Sequence, residues 1–154
     1  MAAGTWKIFT QAKRAIGGGT LNLSGVFRMC LCKASASANL LAYTNTGIST
    51  WASVGSEIAA QGGYAAQGRS IPAIKWTVGA STKQMKFSYT TAGLVFTASG
   101  ANLSAIKYAV IRNSVGAGTG LVLCFCTLST AAFSITSPNT LTVIPAATGV
   151  FTLA

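Results

Sequence analysis

The stretch Leu94–Leu128, LVFTASGANLSAIKYAVIRNSVGAGTGLVLCFCTL, decides how this chain folds. It holds two apolar segments, Ile106–Ile111 (IKYAVI) and Leu121–Cys126 (LVLCFC). Between them lies Asn113–Gly120, NSVGAGTG, a glycine-rich run too polar for anything but a loop. The second segment is apolar at every position, which predicts a strand covered on both faces, in the middle of a sheet. The first alternates: Ile106, Tyr108 and Val110 point one way, while Lys107, Ala109 and Ile111 point the other. Ahead of both, Leu94–Ala98 predicts a further strand, closed by a turn at Ser99–Asn102.

Outward from this block the chain reads as short strands. Val26–Lys33 is a strand by apolar density, and Ser35–Asn39 a loop of small residues. Ile74–Val78 and Met85–Tyr89 predict a hairpin joined by Gly79–Gln84. Setting Val78 opposite Met85 places Trp76 opposite Phe87 and Ile74 opposite Tyr89 on one face. The same register places Lys75 opposite Ser88 and Thr77 opposite Lys86 on the other. A slip of one residue would destroy that agreement. Phe133–Ile135, Leu141–Ile144 and Val150–Leu153 complete the set, with Pro138 and Pro145 at strand ends or edges.

Two helices are expected. Thr5–Ile16 carries Trp6, Phe9, Ala12 and Ile16 at helical spacing, has Lys13 and Arg14 in its last turn and stops at Gly17-Gly18-Gly19. Its apolar side is expected to pack on the core. Trp51–Gln61 predicts a second, short helix ended by Gly62-Gly63. The fold class is therefore mainly β: an antiparallel β-sandwich of Greek-key or jelly-roll-like kind with a short N-terminal helix, in one domain over residues 1–154. No repeat or linker interrupts it.

Composition narrows the function. Eleven Lys and Arg face one acid, Glu57, for a formal charge of +10, and histidine is absent. Only 8% of residues are charged, about a third of the usual share. A free monomer would normally carry a more charged surface, so part of this one is expected to be covered by neighbouring subunits. One carboxylate excludes a paired-acid site, and the lack of His excludes Ser-His-Asp and Cys-His arrangements and imidazole metal ligands. The chain is expected to be no enzyme, with no catalytic residue, cofactor or small-molecule substrate. No apolar run approaches the ~18 residues of a membrane helix, and the N-terminus offers no secretion signal, so manufacture in a cytoplasm is expected and no membrane contact.

The cysteines form two Cys-x-Cys pairs, Cys30/Cys32 and Cys124/Cys126, each inside a predicted strand. Alternate residues of a strand lie roughly 6–7 Å apart, whereas tetrahedral zinc wants sulfurs about 3.8 Å apart. Buried thiols acting as small hydrophobes are the expectation, and no metal. Cytoplasmic manufacture argues against disulfides.

The positive charge asks for an acidic partner. Nucleic acid is one candidate, but the basic residues are scattered and no stacking motif appears, so direct contact with it is not expected. An acidic protein lattice is the other. In the register above, Lys75 and Lys86 emerge opposite the aromatic face, and Lys107 opposite Ile106 and Tyr108, which makes these three lysines the candidate partner-binding residues.

The order of landmarks resembles a family of small tailed-bacteriophage virion proteins. It rests on Ala12–Leu21 (AKRAIGGGTL), Phe27–Leu31 (FRMCL), Glu57–Tyr64 (EIAAQGGY), the strand around Trp76, and Thr97–Ile111. The chain departs from that family in charge, carrying Arg112-Asn113 where relatives are acidic. The resemblance implies a structural component of a virion assembled in a bacterial cytoplasm. Its first reading is a capsid decoration (cement) protein, a homo-oligomer (a trimer, as cement proteins often are) on the major capsid protein lattice. A tail or head–tail connector component is the alternative, and a basic nucleic-acid-binding module a second.

Overall fold

The computed structural model describes residues 4–22, 25–45, 49–78, 84–114 and 120–153. In chain order its elements are β1 (Lys7–Ile8), α1 (Thr10–Gly17), β2 (Phe27–Lys33), α2 (Ser37–Leu41), α3 (Trp51–Val54), β3 (Arg69–Ser70), β4 (Lys75–Val78), β5 (Met85–Ser88) and β6 (Leu94–Thr97). They continue with β7 (Leu103–Asn113), β8 (Val122–Thr127), β9 (Phe133–Ile135), β10 (Thr140–Val143) and β11 (Phe151–Leu153).

The main sheet runs β1-β8-β7-β2-β3, with β9 also on β7. Every pairing is antiparallel, as are those of the smaller sheets β11-β5-β4 and β10-β6. The expectation of a mainly β, antiparallel sandwich with a short helix near the N-terminus holds. β8 has neighbours on both sides and is buried from Val122 to Cys126, as its unbroken apolar run requires. β7 goes further than its alternation suggests. It spans the sheet and is buried from Tyr108 to Arg112 on both faces, leaving Lys107 half-buried.

The register sorts the side chains into two layers. The row Lys7, Phe125, Val110, Cys30 lies on one face, and Ile8, Cys124, Ile111, Met29 on the other. The first face meets the helical side: Phe125 packs against Phe9 and Tyr43, with ring centroids 5.5 and 5.8 Å away. The Tyr108 hydroxyl lies 2.5 Å from Ser37 Oγ at the start of α2. The second face meets the small sheets. There Phe87 is fully buried against Phe27, Trp76 and Phe151, at 5.6, 5.2 and 5.1 Å. Each such ring pair contributes about 0.5–1.5 kcal/mol beyond the area it buries.

The hairpin register is as expected: Val78, Thr77, Trp76 and Lys75 pair with Met85, Lys86, Phe87 and Ser88. The pairing stops there and does not reach Ile74 and Tyr89. Val78 and Met85 share the aromatic face yet are exposed, at the end of the hairpin next to its connection. Most of its connection, and residues 115–119 of the glycine-rich loop, lie outside the described residues.

Three local expectations need correction. Thr5–Ile16 is not one helix. Lys7 and Ile8 pair with β8 and the Phe9 N–H reaches Leu123 O at 3.1 Å, so the open edge of β8 claims the β-prone first half and α1 starts at Thr10. Trp6, Phe9 and Ala12 still bury themselves in the core. Ser35–Asn39 is no loop: a 3₁₀ turn at Ala34–Ala36 and α2 replace it, so that Ala36 and Leu40 can be buried. Trp51–Gln61 is helical only to Val54, because Gly55 turns into the left-handed region at φ 63°. The backbone after it is needed elsewhere: Lys33 N–H donates to Ser56 O at 2.9 Å and Ile58 N–H to Leu31 O at 3.0 Å, extending the edge of β2.

Candidate functional site: a basic cleft at the edge of the main sheet

β3 is only two residues long, and the turn before it explains how it is placed. Gln67 and Gly68 both sit at positive φ, 68° and 75°. A Cβ on Gly68 would overlap the Met29 carbonyl, so only glycine lets the chain press this closely onto β2. The reversal lays Arg69 opposite Met29 and Ser70 opposite Arg28.

Arg28 in turn lies opposite Arg112 on β7. Two like charges in direct register repel, and the Gln67 turn is what holds them there. Arg28 Nε donates to Gln67 O at 2.9 Å and its Nη2 to Gly68 O at 2.6 Å. Arg112 Nη2 donates to Gln67 Oε1 at 2.9 Å and its Nη1 to Asn113 O at 3.2 Å. Arg112 is 1% exposed, and its guanidinium also lies 5.7 Å from the centre of the Trp51 ring. A cation so far from water needs such acceptors and a ring face.

The one carboxylate is spent in the same corner. Tyr64 donates its hydroxyl to Glu57 Oε1 at 2.6 Å and accepts the Leu31 N–H at 3.0 Å. Burial first, then the nearby Cys30 and Glu57, pushes the phenol far above its ordinary range. The Cys30 thiol is pushed up to about 12, again by burial, with Glu57 adding to it and the Arg112 hydrogen bond opposing it. It is a neutral, inert thiol at physiological pH. Cys32, Cys124 and Cys126 are likewise buried and free.

Outside this corner a cleft of about 490 Å³ opens between β3 and β6. Arg28, Arg69 and Ser70 line one side, Val95 to Thr97 the other, with Tyr64 and Leu103 beneath. Arg69 spans it, donating from Nη1 to the Val95 carbonyl. Chemically the cleft offers guanidinium N–H groups, a hydroxyl and strand backbone. It offers no nucleophile–base pair, and no three His, Cys, Asp or Glu gather to hold a metal among the described residues.

Compared with protein-family models, curated proteins and solved structures, the chain matches none. No helix among the described residues is long and apolar enough to cross a membrane.

The three lysines named from the sequence lie elsewhere. Lys75 and Lys86 share the face of the β4–β5 hairpin opposite Trp76 and Phe87. Lys75 is exposed, while Lys86 is half-buried with Nζ 3.4 Å from Ala147 O. Lys107 belongs to the main sheet, with Nζ 5.6 Å from the centre of the Tyr108 ring. The hairpin thus unites two of the three. The arginine corner escaped the sequence reading, because Arg28, Gln67 and Arg112 meet only through pairing of strands remote in the chain. The one signal available was the shortage of acids, which obliges the arginines to find neutral acceptors.

Proposed function

We propose that the chain is a non-enzymatic structural protein of a tailed-bacteriophage virion, a capsid decoration protein that seats its basic surface on an acidic lattice. The observation that carries this reading is the disposition of charge. The formal charge is +10, and the only carboxylate is committed to Tyr64 inside the subunit. Positive charge on this scale repels itself within a free subunit and is offset when an acidic surface is met. A sandwich covered on both faces of its main sheet, without catalytic chemistry among the described residues, supports a stapling role. The resemblance in landmark order supplies the virion.

Copy number in purified particles tests the placement. Copies in the hundreds are expected for decoration of the head, whereas a single ring's worth would transfer the protein to the tail or connector. Mass measurement at micromolar concentration tests the homo-oligomer, for which a trimer is the proposed order. Changing Lys75, Lys86 and Lys107 together to Gln is expected to weaken particle binding and flatten its salt dependence while moving stability by less than about 0.5 kcal/mol. Unaltered binding at low and high salt would remove these lysines from the interface.

A further inference from the structure

The cleft between β3 and β6 is a site in its own right, separate from the lysine face. β3 is the last strand of the main sheet and β6 pairs with β10 alone, so two strand edges face each other across it among the described residues. The Val95 carbonyl points into this gap, where the Arg69 side chain takes it in place of a strand. Among the described residues, Arg28 Nη1 and Arg69 Nε and Nη2 carry no hydrogen bond, leaving charge-assisted donors at the opening. We infer that the cleft receives an extended, carboxylate-bearing peptide segment of a partner protein, its backbone along the edge of β6 and its Glu or Asp side chains on the guanidinium groups of Arg28 and Arg69.

Charge decides against the other occupants. A second copy of this chain has one acid to offer, Glu57, already bonded to Tyr64, and brings another +10 with it. Single-stranded nucleic acid wants exposed rings for its bases, but Tyr64 and Phe96, the aromatic residues of the cleft, are buried at 5% and 4% exposure. An extended peptide needs only what is present: an open strand edge for its backbone and guanidinium donors for alternate side chains.

The test is an amide-resolved NMR titration of the full chain at about 150 mM salt, where loose surface attraction is screened. The probes are a capped peptide of four Thr-Glu repeats, its Thr-Gln counterpart and an oligothymidylate of equal length. The Thr-Glu peptide is expected to give saturable shifts at Arg69, Ser70 and Val95–Thr97, and the Thr-Gln peptide none. Arg69→Gln should weaken the binding about tenfold with the remaining spectrum unchanged, which shows that the variant is folded. The Lys75, Lys86 and Lys107 to Gln variant should bind the peptide as the parent does, so this site and the lysine interface stand or fall separately. Shifts that do not saturate, that centre on the β4–β5 hairpin, or that oligothymidylate reproduces at equal affinity would each overturn the assignment.

Discussion

The two faces of β2 are held by different physics. Where Phe27 meets Phe87, Trp76 and Phe151, the contact is aromatic surface interlocked between two sheets. Where Arg28 and Arg112 meet Gln67, and Tyr64 meets Glu57, it is a polar network built into the sheet's edge. The aromatic side tolerates no loss of volume, because a close-packed interior cannot refill the gap. The polar side tolerates no loss of a partner, because a buried donor without an acceptor bears its full desolvation cost. Close packing and polar bonding thus occupy separate ground.

The largest expected effect cuts across both sides, since each carries a pair of buried thiols. Burial raises all four, Cys30 and Cys126 to about 12 and Cys32 and Cys124 well above the ordinary thiol value. A group raised on folding contributes stability that is fully present below the unfolded pKa of about 9 and is lost as pH climbs towards the folded one. Each thiol should remove up to about 1.4 kcal/mol per pH unit in that window. Denaturant unfolding at a series of pH values should therefore show stability level to about pH 8.5 and falling steeply beyond. Replacing Cys124 and Cys126 by Ala should roughly halve the slope up to about pH 10, above which the buried Tyr64 and Tyr89 phenols, also raised by burial, add their own loss. An equal slope would place the alkaline loss outside the thiols.

Phe87→Ala comes next, with a loss of about 3–5 kcal/mol read from the denaturation midpoint at unchanged m-value. Gly68→Ala should cost about 2–3 kcal/mol, since the new Cβ meets the Met29 carbonyl at a positive φ. Its loss should also disturb the cleft, which Phe87→Ala should leave in place. Tyr64→Phe is the smallest, about 1–2 kcal/mol, by taking the acceptor from Leu31 N–H and the donor from Glu57. Were Tyr64→Phe to cost as much as Phe87→Ala, the polar corner would be a pillar of the fold, and the division of labour would fail.

Most strands, and the register of the hairpin, were legible because they depend on local periodicity. Trp76, Phe87, Lys75 and Lys86 can be assigned to faces by counting in twos. The helix limits were not, because competition for backbone partners sets them. β8 takes Lys7 and Ile8 from a helix whose apolar spacing continues through them, and β2 takes Ser56 and Ile58 from the end of α3. Lys75 and Lys86 were readable as a face, but the guanidinium cleft was invisible.

The amino-acid order alone determined that the chain is β-rich, that β8 is covered on both faces and that Glu57 is the one acidic side chain. Those are properties of composition and short-range pattern, which each segment carries with it. Tertiary structure alone decided that Arg28 stands across from Arg112, that Gln67 turns between them, and that Arg69 reaches Val95 over an open cleft. Hydrogen bonds between residues remote in the chain cost loop-closure entropy and leave no periodic trace in the sequence. They come into being only once the hydrophobic layers have fixed which strands are neighbours.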